Sequence, residues 1–245
     1  MLPSMTIQRV AILVIGDEIL SGDTQETNAH YMARELFGLG VSLRRIVVVP
    51  DEVDDIARHA AALSREHDVL ITCGGIGPTH DDVTLESIAR AFDVELEEHP
   101  ELVALLRGWR GNDLDESHLR LARVPQGTEL IWGGRSFPLL RVRNVYVLPG
   151  VPKLLRQEFA TLLPLLHGEP LHERQFHTDV EELAIAAPLR ALQQRHPDVS
   201  FGSYPSTDEA GAWSVRLVLK ARDADALSSA CDALTTQIEG LEELE

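Results

Sequence analysis

A glycine-rich stretch with two adjacent carboxylates is the part of this sequence best suited to chemistry. Residues 74–84 read Gly-Gly-Ile-Gly-Pro-Thr-His-Asp-Asp-Val-Thr and directly follow the apolar run Val69–Cys73. The run predicts a buried strand, and three glycines in four positions let backbone N–H groups approach a ligand without interference from side chains. Free N–H groups between a strand and a helix bind phosphate or another anion. We therefore predict a phosphate site at Gly74, Gly75 and Gly77.

Asp81 and Asp82 stand beside this loop and would repel a phosphate. A divalent cation such as Mg²⁺ or Mn²⁺ removes the conflict, because carboxylates bind the ion and the ion bridges to phosphate oxygens. Two neighbouring carboxylates can also have separated pKa values, which leaves one of them able to act as a base. The simpler alternative is that Asp81 or Asp82 only caps the following helix. His80 either donates a hydrogen bond to a phosphate or lies in solvent.

Three other predicted strands end in polar or glycine-containing segments. These segments are 16–22 (Gly-Asp-Glu-Ile-Leu-Ser-Gly), 50–51 (Pro-Asp) and 149–152 (Pro-Gly-Val-Pro). Because ligands bind at the carboxyl ends of parallel strands, we expect the segments to converge on one site. They and the following helix add candidate ligand-binding residues: Gly16, Glu18, Ser21, Asn28, Pro149 and Gly150. Structural alternatives are a helix cap for Asp51, a solvated Glu18, loop-ordering roles for Ser21 and Asn28, and a plain turn at 149–152.

Charge is the strongest constraint from composition. The 245 residues include 22 Lys and Arg against 39 Asp and Glu, a net charge of −17, and the pI is near 4.9. Such a surface repels nucleic acids and anionic membranes, so we expect a small phosphorylated ligand in a compact pocket. No apolar run approaches the roughly 18 residues of a membrane span, and neither a signal-peptide pattern nor a paired cysteine spacing occurs. These features predict a cytoplasmic protein.

The apolar pattern alternates between strands and helices over most of the chain. Strands are predicted at Arg9–Ile15, Leu43–Val49, Val69–Cys73 and Val145–Leu148, with a hairpin of Leu130–Trp132 and Leu139–Val142. Helices at amphipathic spacing separate the strands, which indicates an α/β fold with a mostly parallel sheet covered on both faces. From Gly168 onward the pattern restarts as β-α-β-β-α, with a last helix predicted over 225–241. We therefore divide the chain into a domain of residues 1–168 and a small α+β domain of residues 169–245.

At these motifs the chain resembles the MoaB/MogA superfamily of molybdopterin-binding domains. The superfamily's Gly-Gly-x-Gly loop and Asp-x-Thr are matched by Gly74, Gly75, Gly77, Asp82 and Thr84, and its other acidic position by Asp51. The segments that begin at 16, 74 and 148 are similar to the CinA-type branch, above all to the N-terminal region of eukaryotic FAD synthase. Residues 176–179 (Phe-His-Thr-Asp) and 202–205 (Gly-Ser-Tyr-Pro) extend the resemblance into the second domain. The resemblance implies a three-layer α-β-α, MogA-like fold and adds Pro78, Thr79 and Thr84 to the candidate ligand-binding residues.

The resemblance also implies an activity. Isolated domains of this branch resemble metal- and potassium-dependent pyrophosphatases that act on ADP-ribose or FAD. We therefore expect hydrolysis of such a diphosphate to AMP and a phosphorylated product, with Asp51 orienting or deprotonating the water. Asp51 and Asp82 are the catalytic candidates, and Asp81 and Asp82 are the ligands of Mg²⁺, Mn²⁺ or Co²⁺. A homo-oligomer, either a dimer or a trimer, is expected as well.

Two other classes of function stay open. The parent superfamily binds molybdopterin, and some members adenylylate it, so a molybdopterin-binding protein would use the same glycines and aspartates. A catalytically silent module would instead assemble with another protein. CinA proteins often continue into an amidase domain and FAD synthase into an adenylyltransferase domain. Neither follows in this sequence, so neither amidase nor FAD-synthesising activity is expected.

Overall fold

The computed structural model describes residues 8–111, 113–134, 136–207 and 213–244. These residues form two compact units, one that ends at Gly168 and one that begins at Glu169. Each unit contains hydrophobic clusters of its own. Within the described ranges, no helix is both long and apolar enough to cross a bilayer.

The first unit alternates strands and helices. Its strands are β1 (Arg9–Ile15), β2 (Ser42–Val49), β3 (Val69–Cys73), β4 (Leu96–Glu98), β5 (Arg123–Pro125), β6 (Glu129–Ile131), β7 (Leu139–Val142) and β8 (Val145–Leu148). Its helices are α1 (Asp17–Leu20), α2 (Asn28–Gly38), α3 (Val53–Glu66), α4 (Thr84–Phe92), α5 (Pro100–Arg110), α6 (Glu116–Arg120) and α7 (Pro152–Leu162). A short 3₁₀ helix, Leu163–Leu165, follows α7.

The central sheet of this unit has six strands in the order β2-β1-β3-β8-β7-β6. The first four are parallel, and the hairpin of β7 and β6 adds two antiparallel strands at one edge. Strand β3 is buried along its whole length, as expected for a parallel strand covered on both faces. The predicted mostly parallel sheet is confirmed. A separate pair, β4 and β5, was not predicted because both strands are only three residues long.

Helices cover both faces of this sheet. Successive residues of β1 point to opposite faces, so its apolar run supplies two cores. Ile12 packs on one side, in a cluster with Phe159 of α7. Leu13 packs on the other side, in a cluster with Ile56 of α3 and Ile88 of α4. The predicted three-layer α-β-α arrangement is thereby confirmed.

The second unit is an antiparallel sheet with two helices. Its elements are β9 (His172–Thr178), α8 (Glu182–Arg195), β10 (Ser200–Thr207), β11 (Trp213–Ala221), α9 (Ala224–Gln237) and β12 (Glu242–Leu244), with strand order β10-β11-β9-β12. The predicted helix over 225–241 is too long at its C-terminal end. Ile238 is already extended, and Gly240 adopts a left-handed φ of 73° that turns the chain. Strand β12 then pairs with β9, a long-range contact that local periodicity does not report.

Candidate functional site

Backbone and side-chain hydrogen bonds join the loops that follow β1, β2, β3 and β8. The N–H of Gly16 donates to the Val49 carbonyl at 3.2 Å, and the N–H of Gly74 donates to the Leu148 carbonyl at 3.1 Å. The Asn28 side-chain amide donates to the carbonyl of Gly150 at 2.7 Å. The four loops therefore meet at the carboxyl edge of the parallel strands, where ligands bind in open α/β sheets.

A cavity of about 720 Å³ opens at this edge. Ten of the candidate residues line it: Gly16, Glu18, Asp51, Gly74, Gly75, Gly77, Asp81, Asp82, Pro149 and Gly150. Five others lie outside the lining: Ser21, Asn28, Pro78, Thr79 and Thr84. His80 is outside it too, with a side chain that is 97% exposed. A cavity of this volume accommodates a ligand of nucleotide size.

Two glycines of the loop after β3 have backbone conformations that require glycine. Gly74 and Gly75 have left-handed φ values of 106° and 64°, which residues other than glycine rarely adopt. A Cβ on Gly74 would collide with the carbonyl oxygen of Ile15, and one on Gly75 would lie 2.5 Å from the hydroxyl of Thr84. Among the described residues, no acceptor takes the N–H groups of Gly75 or Gly77, which leaves them available to an anion. The N–H of Gly74 already donates to the Leu148 carbonyl, so the prediction that Gly74 also offers its N–H to the phosphate is wrong.

Two residues outside the lining hold this loop in place. Thr84 is fully buried, and its hydroxyl donates to the Gly74 carbonyl at 2.8 Å. Its own N–H donates to the Gly75 carbonyl at 3.0 Å. The side chain of Asn28 connects the start of α2 to the Gly150 carbonyl. Gly150 in turn lies against the backbone of Gly74, close to its Cα. In this structure, therefore, Thr84 and Asn28 fix the positions of the glycines that line the cavity.

The two adjacent aspartates have different environments. Asp82 accepts the N–H of Thr79 at 2.8 Å and also contacts the Thr79 hydroxyl, so its carboxylate closes the glycine loop. Asp81 is exposed, and its pKa is lowered, chiefly by the Thr79 hydroxyl and then by its own backbone amide. The residue that precedes α4 is Val83, and no side chain caps that helix. The alternative in which Asp81 or Asp82 caps the helix is therefore wrong.

Asp51 connects the second loop to the first. Its carboxylate accepts the N–H of Asp17, the first residue of α1, at 2.8 Å. The residue that precedes α3 is Glu52, so Asp51 does not cap the helix that follows it. Burial raises the pKa of Asp51, and the negative charges of Asp17, Glu18 and Asp81 add to the increase although the Asp17 N–H opposes it. A carboxylate with a raised pKa in a cavity is suited to act as a base.

Comparison with known proteins identifies the family of this chain. Residues 11–168 match the model described as "Probable molybdopterin binding domain", which is more than half of the chain. The chain belongs to this molybdopterin-binding domain family. Residues 170–242 match the model described as "FAD synthase, middle domain". The predicted resemblance is therefore confirmed in both parts of the chain.

Among the relatives of this molybdopterin-binding domain protein are FAD synthase and CinA-like proteins. A "Probable FAD synthase" of Caenorhabditis elegans is 32% identical over 262 residues, covering 94% of this chain and 50% of that protein. A "CinA-like protein" of Myxococcus xanthus is 34% identical over 219 residues, covering 79% and 50%. The crystal structure of "the protein CinA with unknown function" from Thermoplasma acidophilum is 30% identical, with a TM-score of 0.59 over 64% of this chain and 96% of that one. The chain spans about half the length of the two curated relatives.

The metal prediction depends on how the carboxylates of this domain are placed. Within the described residues, no group of three or more His, Cys, Asp or Glu side chains is arranged to hold a metal ion. Mg²⁺ is commonly held by only one or two carboxylates, with waters and substrate phosphates as its other ligands. The exposed carboxylate of Asp81, next to Asp82 and the glycine loop, fits that donor set.

A second, smaller cavity lies against the same glycine loop. It measures about 380 Å³ and shares Gly75, Gly77 and Asp82 with the larger one. Arg120 and Arg123 line it as well. Arg123 pairs with Glu116 at 2.8 Å, whereas Arg120 lowers the pKa of Asp81 through its charge. In a chain of net charge −17, Arg120 brings a local positive charge to the loop.

Sequence reasoning missed several lining residues of the larger cavity, among them Glu158 and Trp109. Burial raises the pKa of Glu158 on α7 to about 7. Trp109 on α5 is 50% exposed and faces the same cavity. The available signal was position: Glu158 lies beside Phe159 and one helical turn from Leu155, and both of those residues are fully buried. A carboxylate at the border of an apolar helix face indicates a partly buried acid.

Proposed function

We propose that this chain hydrolyses the diphosphate of FAD or ADP-ribose to AMP and a phosphorylated product, with the help of a divalent metal ion. The observation that carries the proposal is the shared cavity of Asp51 and the free N–H groups of Gly75 and Gly77. A base and an anion site at one edge are the two parts that water attack on a diphosphate requires. The names of the FAD synthase relatives support a flavin nucleotide as substrate.

The proposed reaction uses the residues in distinct roles. The N–H groups of Gly75 and Gly77 hold the oxygens of one phosphate. Asp51 accepts a proton from a water molecule as its oxygen attacks phosphorus, and the bond from phosphorus to the bridging oxygen breaks. The bridging oxygen leaves with the second phosphate. The charge of Arg120, which lines the smaller cavity together with Gly75 and Gly77, stabilises the negative charge that develops at the loop.

A divalent ion fits this proposal on charge grounds. Five carboxylates line the larger cavity: Glu18, Asp51, Asp81, Asp82 and Glu158. Together they would repel a diphosphate unless a cation accompanied it. When bound at Asp81 and Asp82, Mg²⁺, Mn²⁺ or Co²⁺ would neutralise the diphosphate charge. A potassium requirement, a homo-oligomeric state and a cytoplasmic location stay predictions.

Turnover with defined substrates tests this function. We expect purified protein with Mg²⁺ to release AMP from FAD or ADP-ribose, and EDTA to abolish the release. Asp51→Asn should lower the rate by about 10²- to 10⁴-fold, the usual contribution of a general base. Asp81→Asn should raise the metal concentration needed for half-maximal rate. Asp198→Asn, an exposed carboxylate of the second unit, is the matched control.

The family model favours one competing function, molybdopterin binding or adenylylation. Binding of molybdopterin, with no AMP released from FAD or ADP-ribose, would replace the hydrolase proposal by this one. The FAD synthase relatives raise a third candidate, adenylyl transfer from ATP to FMN, and formation of FAD and pyrophosphate from these two substrates would favour that reaction instead. Chromatography separates AMP from FAD and so distinguishes the two reactions, and a binding measurement with molybdopterin tests the third possibility.

A further inference from the structure

Two aromatic side chains line the larger cavity, and the proposed chemistry does not use them. Trp109 and Phe137 line it with ring centroids 6.3 Å apart and planes tilted by 44°. Leu121, Leu140 and Leu154 extend the apolar surface around them. Apart from Glu158 on α7, the carboxylates and glycines lie in segments that follow the parallel strands, whereas these side chains come from α5, α7 and the segments around α6 and β7. The cavity lining therefore includes apolar and aromatic side chains as well as charged ones.

The position of Trp109 on α5 explains why its ring faces this space. Leu102, Leu106 and Trp109 follow at i, i+4 and i+7, which places them on one face of the helix. Leu102 and Leu106 are buried in the core, and Trp109 continues their face beyond it, where half of its surface stays exposed. Phe137 is partly buried in that core and packs against the indole. The indole is thus held in place by protein on one side and open to the cavity on another.

A half-exposed, supported indole at a ligand cavity is a surface on which a flat ring stacks. Stacking buries apolar area and aligns two π systems, and every nucleobase or flavin has a face that accepts it. The cavity volume of about 720 Å³ exceeds what a diphosphate alone needs, so a ring-bearing half of the ligand has room inside. Gln157 and Glu158 of α7 line the same cavity and offer hydrogen-bonding groups to the edge of such a ring.

We propose that Trp109, supported by Phe137, forms a stacking subsite for a fused heteroaromatic ring of the ligand. The inference rests on the proposed function for the diphosphate that links this ring to the glycine loop. Trp109 then determines specificity, because ligands with a flat ring gain the stacking contact and sugar phosphates do not. The chemistry admits adenine, flavin or pterin, and the choice among them is left to the ligand series below.

Binding of ligands that need no turnover tests the subsite. Affinities for AMP, FMN and ribose 5-phosphate are measured by calorimetry on the parent, Trp109→Ala, Trp109→Phe and Trp213→Ala. We expect Trp109→Ala to weaken AMP or FMN binding by about 10- to 100-fold and to leave ribose 5-phosphate unchanged. Trp109→Phe should stay within about threefold of the parent, because phenylalanine keeps a stacking face. Trp213, an exposed tryptophan of the second unit, is the matched control.

The nucleotide that loses affinity identifies the ring in the subsite. The proposal is overturned if Trp109→Ala weakens all three ligands equally, or weakens none of them. If Trp109→Ala does not fold, flavin fluorescence in the folded Trp109→Phe variant decides. Less quenching of FMN at unchanged affinity supports stacking on the indole, and unchanged quenching contradicts it. Since no product forms, loss of ring binding is distinguishable from failure of the hydrolase proposal.

Discussion

Asp51 lies where burial and three neighbouring carboxylates oppose its ionisation. If it is the base, only its ionised form is active, so the rate of FAD cleavage should fall on the acid side through a pKa above the ordinary value near 3.8. Below that pKa we expect a loss of about tenfold for each pH unit. A pH–rate profile between pH 4 and 9 measures it.

Two variants make this profile specific to Asp51. The acid limb should vanish from the residual activity of Asp51→Asn, which has no carboxyl group to protonate. Glu52→Gln removes the neighbouring exposed carboxylate and should keep the parent profile. An identical acid limb in Asp51→Asn would assign the ionisation to another group.

Single residues of the site differ in how far the sequence predicts them. The glycines and acidic residues stand directly after strands, so their convergence follows from the parallel sheet alone. The partner of Asp51, the N–H of Asp17, and the buried role of Thr84 depend on contacts between loops that are distant in sequence. Trp109 and Glu158 read as ordinary helix residues until the tertiary fold shows which of their faces borders a cavity.

Among the elements, the glycine loop between β3 and α4 makes the most specific structural demand. Gly75→Ala would place a methyl group 2.5 Å from the Thr84 hydroxyl at a left-handed φ of 64°. We expect a loss of about 1–3 kcal/mol in the free energy of unfolding, from backbone strain and the displaced hydroxyl. AMP affinity should also fall at least about tenfold, because the shifted loop no longer presents its N–H groups to the phosphate. A tenfold change corresponds to about 1.4 kcal/mol of binding free energy. Urea unfolding and calorimetry measure the two effects.

Gly127→Ala is the matched control for this prediction. Gly127 has a left-handed φ of 82°, but no atom lies within 4 Å of the added methyl group. This variant should show the strain and keep AMP affinity. Equal affinity in Gly75→Ala and the parent would mean that the loop is only a turn.

The sequence predicted those helices and strands whose apolar pattern lies within one continuous segment. Strands β1, β3 and β8 lie where the apolar runs predicted them. The C-terminal end of α9 was mispredicted because β12, at the end of the second unit, forms only by pairing with β9 at its beginning. Short strands such as β4 and β5 have too few residues for a readable pattern.

For the whole molecule, Glu158 gives stability a pH dependence. Its folded-state pKa of about 7 exceeds the ordinary 4.5, so the native chain keeps a proton that the unfolded chain releases between those values. The contribution of Glu158 to the free energy of unfolding is therefore most favourable below pH 4.5, and this contribution is lost as the pH rises towards 7. We expect Glu158→Gln to gain about 1 kcal/mol over the parent between pH 5 and pH 8. This gain is smaller than the full 1.4 kcal/mol per pKa unit because the carboxyl faces an open cavity.

Urea unfolding at pH 5 and pH 8, followed by tryptophan fluorescence, measures this difference. Glu101→Gln, an exposed carboxylate on α5, should show no comparable gain. If the difference in stability between Glu158→Gln and the parent is the same at pH 5 and at pH 8, the assignment is contradicted.

The order of strands in the central sheet has a consequence for folding. Strand β3 is flanked by β1 and by β8, and its pairing of Leu70 with Val145 joins distant parts of the chain. If β1, β2 and β3 assemble during synthesis, one edge of β3 stays unpaired until β8 has left the ribosome. An open apolar edge of this kind is prone to pair with other chains. The loop at Gly150, which abuts Gly74, arrives with β8, so closing the vulnerable edge and completing the cavity are one folding event.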